Sequence, residues 1–463
     1  MHFSDPAGKH RQPQTWVPWP PPKDYQLDSR PWRLPPHRPM IISGAELVDP
    51  EHGETVKGMD IRIEDGKIVE IAPCESLSGY RDQRNATVID ATGLYICPGL
   101  IDCHVHILAG LGTAEDEPGT EMENDLNTAL GLKYMLSNGF TTVRDVGGAT
   151  AKHRYSTESW LTPGPRLFVG GPVMSMTGGH GDHRSQFDML STNSPYGQFY
   201  NGGMEHTSTI ADGVDECLRT ARKLMAAGAD HVKICTSGGV LSPYDKVEAA
   251  QYTVPEIRAV CETVKALGGT LTTSHCNSDL GARNAIEGGV GCIEHGGMLS
   301  RDTLQSMKEK GIHLVPTLIV QDAVVNGPLR PYVSKRSYEK AKTVASHSEI
   351  TMKDAVEIGV NIGYGTDYVP MFQLAEFDLR AAFLPSKEVL KHATCNAAKI
   401  LGMEGKLGCI KEGALADFLL LSANPIDNVK ILNRPDKHLK AVVKDGRCVK
   451  SSVKGLPVEV ELF

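Results

Sequence analysis

Two textures of apolar and polar residues divide the chain. From Met40, MIISGAELVDPEHGETVKGMDIRIEDGKIVEIAP alternates short apolar runs with Gly, Asp and Pro. That is the pattern of short antiparallel strands joined by tight turns. GKLGCIKEGALADFLLLSANP, from Gly405, and HLKAVVKDGRCVK, from His438, repeat it. Neither piece is long enough to close a stable sheet alone. Pairing them predicts one small β-sandwich domain from residues 40–95 and 405–463, with residues 96–404 inserted between its halves.

The insertion has the other texture, in which apolar runs alternate with helical periodicity. Strands are expected at LIDCHVHI (100–107), TTVRDVGG (141–148), RLFVGGPVMS (166–175), HVKICTSGG (231–239), TLTTSH (270–275), GCIEHGG (291–297), HLVPTLIV (313–320) and NIGYGTD (361–367). Helical patterns such as DGVDECLRTARKLMAAGA, PEIRAVCETVKALGG, RDTLQSMKEKG and the stretch from Arg336 to Gly359 lie between them. Eight such alternations predict the α/β class, a (β/α)8 TIM-type barrel inserted into the sandwich. The chemistry is then expected at the C-terminal ends of the barrel strands. After Ser175 a loop of about 35 residues is too long for a plain connection and reads as a lid.

Ahead of both lies a segment, 1–39, with ten of the 28 prolines and Trp16, Trp19 and Trp32. Proline favours extended chain, whereas disordered tails are poor in aromatics. This predicts an extended arm docked on the body or on a second subunit, and with it a homo-oligomer. The formal charge is −8. No basic block marks a nucleic-acid surface, and no apolar run reaches the roughly 20 residues that span a bilayer. Eleven scattered cysteines without a CxxC motif, and an N-terminus without the apolar core of a signal peptide, fit reduced thiols in a cytoplasmic protein.

Polar residues gather at the expected strand ends. Residues two apart share a face of a strand, so His104 and His106 point the same way. Lys233 sits on strand four, His275 ends strand five, His295 strand six and Asp367 strand eight. Taken singly, each has a dull explanation: a core histidine, a helix cap, a snorkelling lysine. On one barrel rim they form a donor set suited to two divalent ions, with Zn2+ the default and Mn2+, Co2+ or Fe2+ compatible. Such a pair, about 3.5–4 Å apart, acidifies a bridging water and polarises a carbonyl. Burial disfavours the charged form of Lys233, and a neutral amine reacts with CO2 to give a bridging carbamate. Cys235 and Cys276, beside these positions, read as small buried hydrophobes rather than soft ligands.

His-x-His on strand one, Lys on four, His on five and six and Asp on eight resembles the binuclear metal-dependent amidohydrolase superfamily. The flanking text PGLIDCHVH, GFTTVRDVGG, HVKICTSGGVLSP and HATCNAAKILGMEGKLGCIKEGALADF agrees, over about residues 40–450. TGGHGD (177–182) and KICTSGGVLS (233–242) resemble the prolidase-like and ochratoxinase-like branch. The resemblance implies that His104, His106 and Asp367 bind one metal and His275 and His295 the other. Carbamylated Lys233 bridges the two. Asp367 takes the proton of the bridging hydroxide and gives it to the leaving amine. His180 contacts the substrate carbonyl or carboxylate, and Tyr244 stabilises the oxyanion. SHCNS departs from the branch pattern at Asn277 and Ser278, which touches substrate contacts rather than metal ligands.

The expected reaction is hydrolysis of an amide or peptide-like C–N bond in a small molecule, an N-acyl amino acid or dipeptide-like compound. Arg184 and His183 are candidates for binding its carboxylate. The alternative is a cyclic-amide hydrolase or deaminase of the imidazolonepropionase type, which uses one metal and needs no strand-four lysine. A decarboxylase on the same site and a non-catalytic scaffold complete the field.

Overall fold

The structure, a computed structural model, describes residues 34–74, 76, 86–108, 121–182, 184, 207–242, 244–367 and 372–463, with the short pieces 3–4 and 10–11. In the N-terminal unit, Phe3–Ser4 pairs antiparallel with His10–Arg11. Trp16, Trp19 and Trp32 of the expected arm, and most of the expected lid, lie outside the described residues.

The two β-rich ends of the chain meet in one sheet. Phe418–Leu421 pairs antiparallel with Tyr95–Pro98, which pairs parallel with Met40–Asp49. Glu54–Glu64 and Lys67–Pro73 extend the sheet on one side, Leu439–Lys444 and Arg447–Ser451 on the other. Thr87–Asp90 adds to Met40–Asp49. The sheet runs through seven strands in order, with Thr87–Asp90 as an eighth that branches from Met40–Asp49, and encloses a core that includes Ile42, Ile61, Ile68, Ile96, Phe418 and Val443. Bulges between Ile42 and Leu47 and between Val442 and Val443 interrupt its register, and bulges are where strands bend.

The inserted region is α/β with parallel strands, but they form two arcs rather than one unbroken barrel ladder. One arc orders Arg166–Val169, Phe140–Asp145 and Leu100–Val105. The other orders Ser208–Ile210, Val173–Ser175, Val232–Cys235, Thr272–Ser278, Cys292–Met298 and His313–Val315. Three expectations change for local reasons. Residues 166–175 are two strands in different arcs, split at Gly171 (φ +68°) and Pro172. Strand seven stops at Val315, before Pro316, which has no N–H to donate; Leu318–Val325 is a helix, capped by buried Glu376, which accepts from the backbone of Ile319 at 2.7 Å. Strand five runs past His275 to Ser278, whose hydroxyl then caps the helix Asp279–Gly288.

Residues 361–367 stand where the eighth strand was expected, without a strand ladder. They still bridge the arcs. Gly363 N donates to Leu314 O at 2.9 Å, and Cys103 N to Tyr364 O at 2.8 Å. Gly363 and Gly365 lie so close to Ile400 and Val315 that a Cβ would sit 2.5 and 2.3 Å from their side chains.

The helices follow their sequence signals. Gly213–Ala226 buries Cys217, Ala221 and Leu224. Thr253 and Glu256 form a capping box on Val254–Ala266. Lys335–Ile358 starts at Ser334 and ends at Gly359 in the left-handed conformation. Among the described residues no helix is long and apolar enough to cross a membrane. All eleven cysteines are free thiols.

Candidate metal centre

All six residues of Leu100–Val105 are buried, so whatever His104 presents is presented inside the protein. The strand's period of two brings the His104 and His106 rings to 5.4 Å. Asp367 arrives from the bridging segment, its backbone N–H donating to His104 O at 2.9 Å. Its Oδ1 lies 3.2 Å from His104 Nε2 and 3.3 Å from His106 Nε2.

The hydrogen-bond partners of the rings decide what those atoms are. His104 Nδ1 is 2.7 Å from the carboxylate of Glu294, and His106 Nδ1 is 2.9 Å from the carbonyl of Gly147. Both partners only accept, so both Nδ1 atoms carry hydrogen. In the neutral rings the Nε2 lone pairs then face the Asp367 oxygen. Three acceptor atoms within 4.8 Å of one another need a cation between them or an added proton. These are the donor types and the outer-shell arrangement of a divalent-metal site.

The other expected ligands follow in contact. The His295 ring is 4.8 Å from His104 and 4.6 Å from His275. His295 Nδ1 is 2.7 Å from Thr317 Oγ1, while His275 donates from Nε2 to Gly238 O at 3.3 Å. Nε2 of His295 and Nδ1 of His275 take no part in these two bonds. Lys233, 3% exposed, places Nζ 3.4 Å from His104 Nε2. His180 stacks on His275 with centroids 3.9 Å apart. Its loop therefore reaches the centre.

Burial, the neighbouring His180 and His295 rings and Lys233 hold His275 well below the usual histidine range. Burial and His104 do the same to His295. Both rings are neutral near pH 7, as ligands must be. Burial opposes the charge on Asp367, but with the added proton shared among these groups the charge of His104, hydrogen bonds from His104 and His106 and the nearby His295 outweigh it and hold its carboxyl well below the ordinary range. Among the described residues, Asp367 and His295 are two of six non-glycine residues with positive φ, at +54° and +68°. Non-glycine residues held in this region cluster at functional sites.

Tyr244 does not join this group: it is exposed, held through its carbonyl oxygen, which accepts from Arg336 at 2.9 Å. Arg184 donates to Asp182 through Nε and Nη2 at 2.8 and 2.6 Å, and His183 lies outside the described residues. Burial pushes the Cys235 thiol up to about 12 and Cys276 up to about 11. Neither is a ready thiolate.

Sequence reasoning missed the supporting carboxylates. Glu294, fully buried, lies between His104 and Arg144, whose Nη2 is 2.5 Å from Oε1. Adjacent strand residues normally face opposite ways, which hid Glu294 beside His295. The positive φ of His295 lets both reach His104. Asp102 holds the same strand end. It accepts from His104 N at 3.0 Å, Thr366 Oγ1 at 2.7 Å and Gln373 Nε2 at 3.0 Å.

The sequence profile described as "Amidohydrolase family" matches residues 95–449. Aspergillus niger ochratoxinase is 27% identical over 442 residues, covering 89% of this chain and 89% of that protein. Among solved structures, a prolidase complexed with N-methylphosphonate-L-proline is 32% identical, with a TM-score of 0.83 over 89% of this chain and 100% of its own. A Xaa-Pro dipeptidase with bound methionine is 27% identical, with a TM-score of 0.78 over 89% and 100%.

Proposed function

This chain belongs to the amidohydrolase family and is a hydrolase, and from that premise we propose that it cleaves the C–N bond of an N-acyl amino acid or dipeptide-like substrate at a binuclear metal centre. The carrying observation is the convergence of His104 Nε2, His106 Nε2 and the Asp367 carboxylate, with both Nδ1 hydrogens already engaged.

His104, His106 and Asp367 would hold one ion and His275 and His295 the other. Lys233 would bridge them as a carbamate, formed when Nζ bonds to CO2 and releases a proton. Divalent ions there supply an acidified water and a polarised carbonyl, with Zn2+ the first candidate. Asp367 is ionised at neutral pH. It accepts the proton of the attacking water and delivers it to the leaving nitrogen. His180, stacked on His275, orients the substrate carbonyl or carboxylate. Tyr244 borders the same loop and is the candidate that a bound substrate would draw in for the oxyanion. The named activities of the prolidase, dipeptidase and ochratoxinase relatives support an acyl group joined to an amino acid. The free thiols support a reducing compartment such as the cytoplasm. Self-association remains part of the proposal.

Metal content on protein purified without chelator is the first test. About two ions per chain are expected, lost with activity in Lys233→Ala. None, with the fold intact, refutes the proposal. A panel of Xaa-Pro dipeptides, N-acyl amino acids and their amides then defines the substrate; equal rates on acids and amides would refute carboxylate recognition. One ion and full activity in Lys233→Ala would favour the cyclic-amide or deaminase alternative.

A further inference from the structure

His180 is held from two directions by residues that converge on one buried carboxylate. Its ring Nδ1 lies 2.9 Å from Ser242 Oγ, and its backbone N–H donates to Gln251 Oε1 at 2.9 Å. Ser242 Oγ donates in turn to Asp245 Oδ1, and Gln251 Nε2 to Asp245 Oδ2 at 3.2 Å. Gly239 N also donates to Oδ2, at 3.0 Å. Because the one serine hydrogen goes to Asp245 Oδ1 or to Gly239 O at 3.1 Å, neither of which donates, the Ser242 oxygen accepts from His180, and Nδ1 carries the ring hydrogen. The ring lies across Gly239, where a Cβ would be 2.2 Å from its Cε1 and Nδ1.

The loop that makes these contacts is closed from outside by one side chain. Lys340, on the helix Lys335–Ile358, is only 10% exposed and uses its ammonium three times. It donates to Gly239 O at 2.9 Å, Ser242 O at 2.8 Å and Asp245 Oδ1 at 2.9 Å. An ammonium has three hydrogens, so this one is fully spent on the loop. Among the described residues, the loop meets His275 through the Gly238 carbonyl and the His180 stack.

We propose that Lys340 is a positioning residue for substrate, which fixes the His180 ring through Asp245 and Ser242. It charges no substrate atom and binds no metal. It holds the 239–245 loop, and thereby the tautomer and orientation of His180, from the far side. The inference rests on the substrate role proposed for His180.

The experiment compares wild type, Lys340→Met, His180→Ala and the double variant, with metal content measured on each. On a substrate that wild type hydrolyses, Lys340→Met should lower kcat/KM by about 10- to 100-fold at unchanged metal content. In the His180→Ala background the same change should add less than about twofold, since both act through one ring. Full activity in Lys340→Met, or losses that simply multiply, overturns the proposal. If wild type hydrolyses nothing in the panel, the functional reading fails, and the crystal structure of Lys340→Met decides the positioning claim separately. A His180 ring displaced from its stack on His275 upholds it, and an unmoved ring overturns it. Lys340→Gln, which keeps a polar group but removes the charge and one hydrogen, replaces Lys340→Met in both measurements if that variant does not fold.

Discussion

Glu294→Gln tests how the centre is held, because it removes a charge and leaves the shape. Glu294 is buried between the Arg144 guanidinium, at 2.5 Å, and His104 Nδ1, at 2.7 Å. Burial opposes its charge, but Arg144 and His104 prevail and keep it ionised. At an effective dielectric near 20, opposite charges at that separation attract by roughly 6–7 kcal/mol. Desolvation offsets part of this, and removing one partner of a buried pair costs about 3–5 kcal/mol. The cost is felt because Arg144 is itself buried, and its other partners, the Cys103 carbonyl at 2.7 Å and Cys292 Sγ at 3.8 Å, carry no full charge to replace the carboxylate. The amide also no longer dictates which His104 nitrogen carries hydrogen, so metal affinity should fall about 10- to 100-fold. Urea unfolding of the metal-free protein measures the first effect and competition with a chelator the second. Arg144→Met combined with Glu294→Gln should recover much of the stability but not the affinity. A Glu294→Gln protein within about 1 kcal/mol of wild type, with unchanged metal affinity, would refute the reasoning.

Three further outcomes are expected. Gly239→Ala places a Cβ 2.2 Å from the His180 ring, so it should cut kcat/KM about 10- to 100-fold while metal content holds; loss of metal instead would mean that the loop supports the ligands directly. Burial, aided by Arg144, pushes His231 down to about 3, and burial, aided by Arg380, pushes His392 down to about 4. The unfolded chain protonates both near 6.5 while the folded chain does not, so metal-free stability should fall from pH 6.5 toward 4.5, by about 4 kcal/mol for the pair. Urea unfolding across that range checks it, and a slope that His392→Gln leaves unchanged would contradict it. Cys276→Ala should retain wild-type metal content by elemental analysis, because the thiol donates to Ser278 O at 3.2 Å rather than standing as a ligand.

Much of the site was legible because its residues interrupt apolar runs. His104, His106 and Lys233 stand out on strands that are otherwise hydrophobic, and side-chain alternation orients them correctly. Asp367 was placed by the same logic, although its segment forms no strand ladder. Its tight glycine contacts and positive φ make a turn that periodicity does not encode. Glu294 was hidden by the rule that neighbours on a strand face apart. Lys340 was hidden differently. On a helix with many surface lysines it has no distinguishing signal until the helix docks on the 239–245 loop.

The chain's own pattern determined the alternation of strand and helix, the β-rich ends and the residue types available as ligands, since these depend on neighbours a few positions away. Tertiary structure decided how the two β-rich ends join in one sheet, the two arcs and which ring nitrogens of His104 and His106 face the Asp367 carboxylate. The last depends on partners far along the chain: Glu294 lies 190 positions from His104, and Gly147 lies 41 from His106. A histidine becomes a ligand through the nitrogen its partner leaves unused, and folding alone brings that partner near.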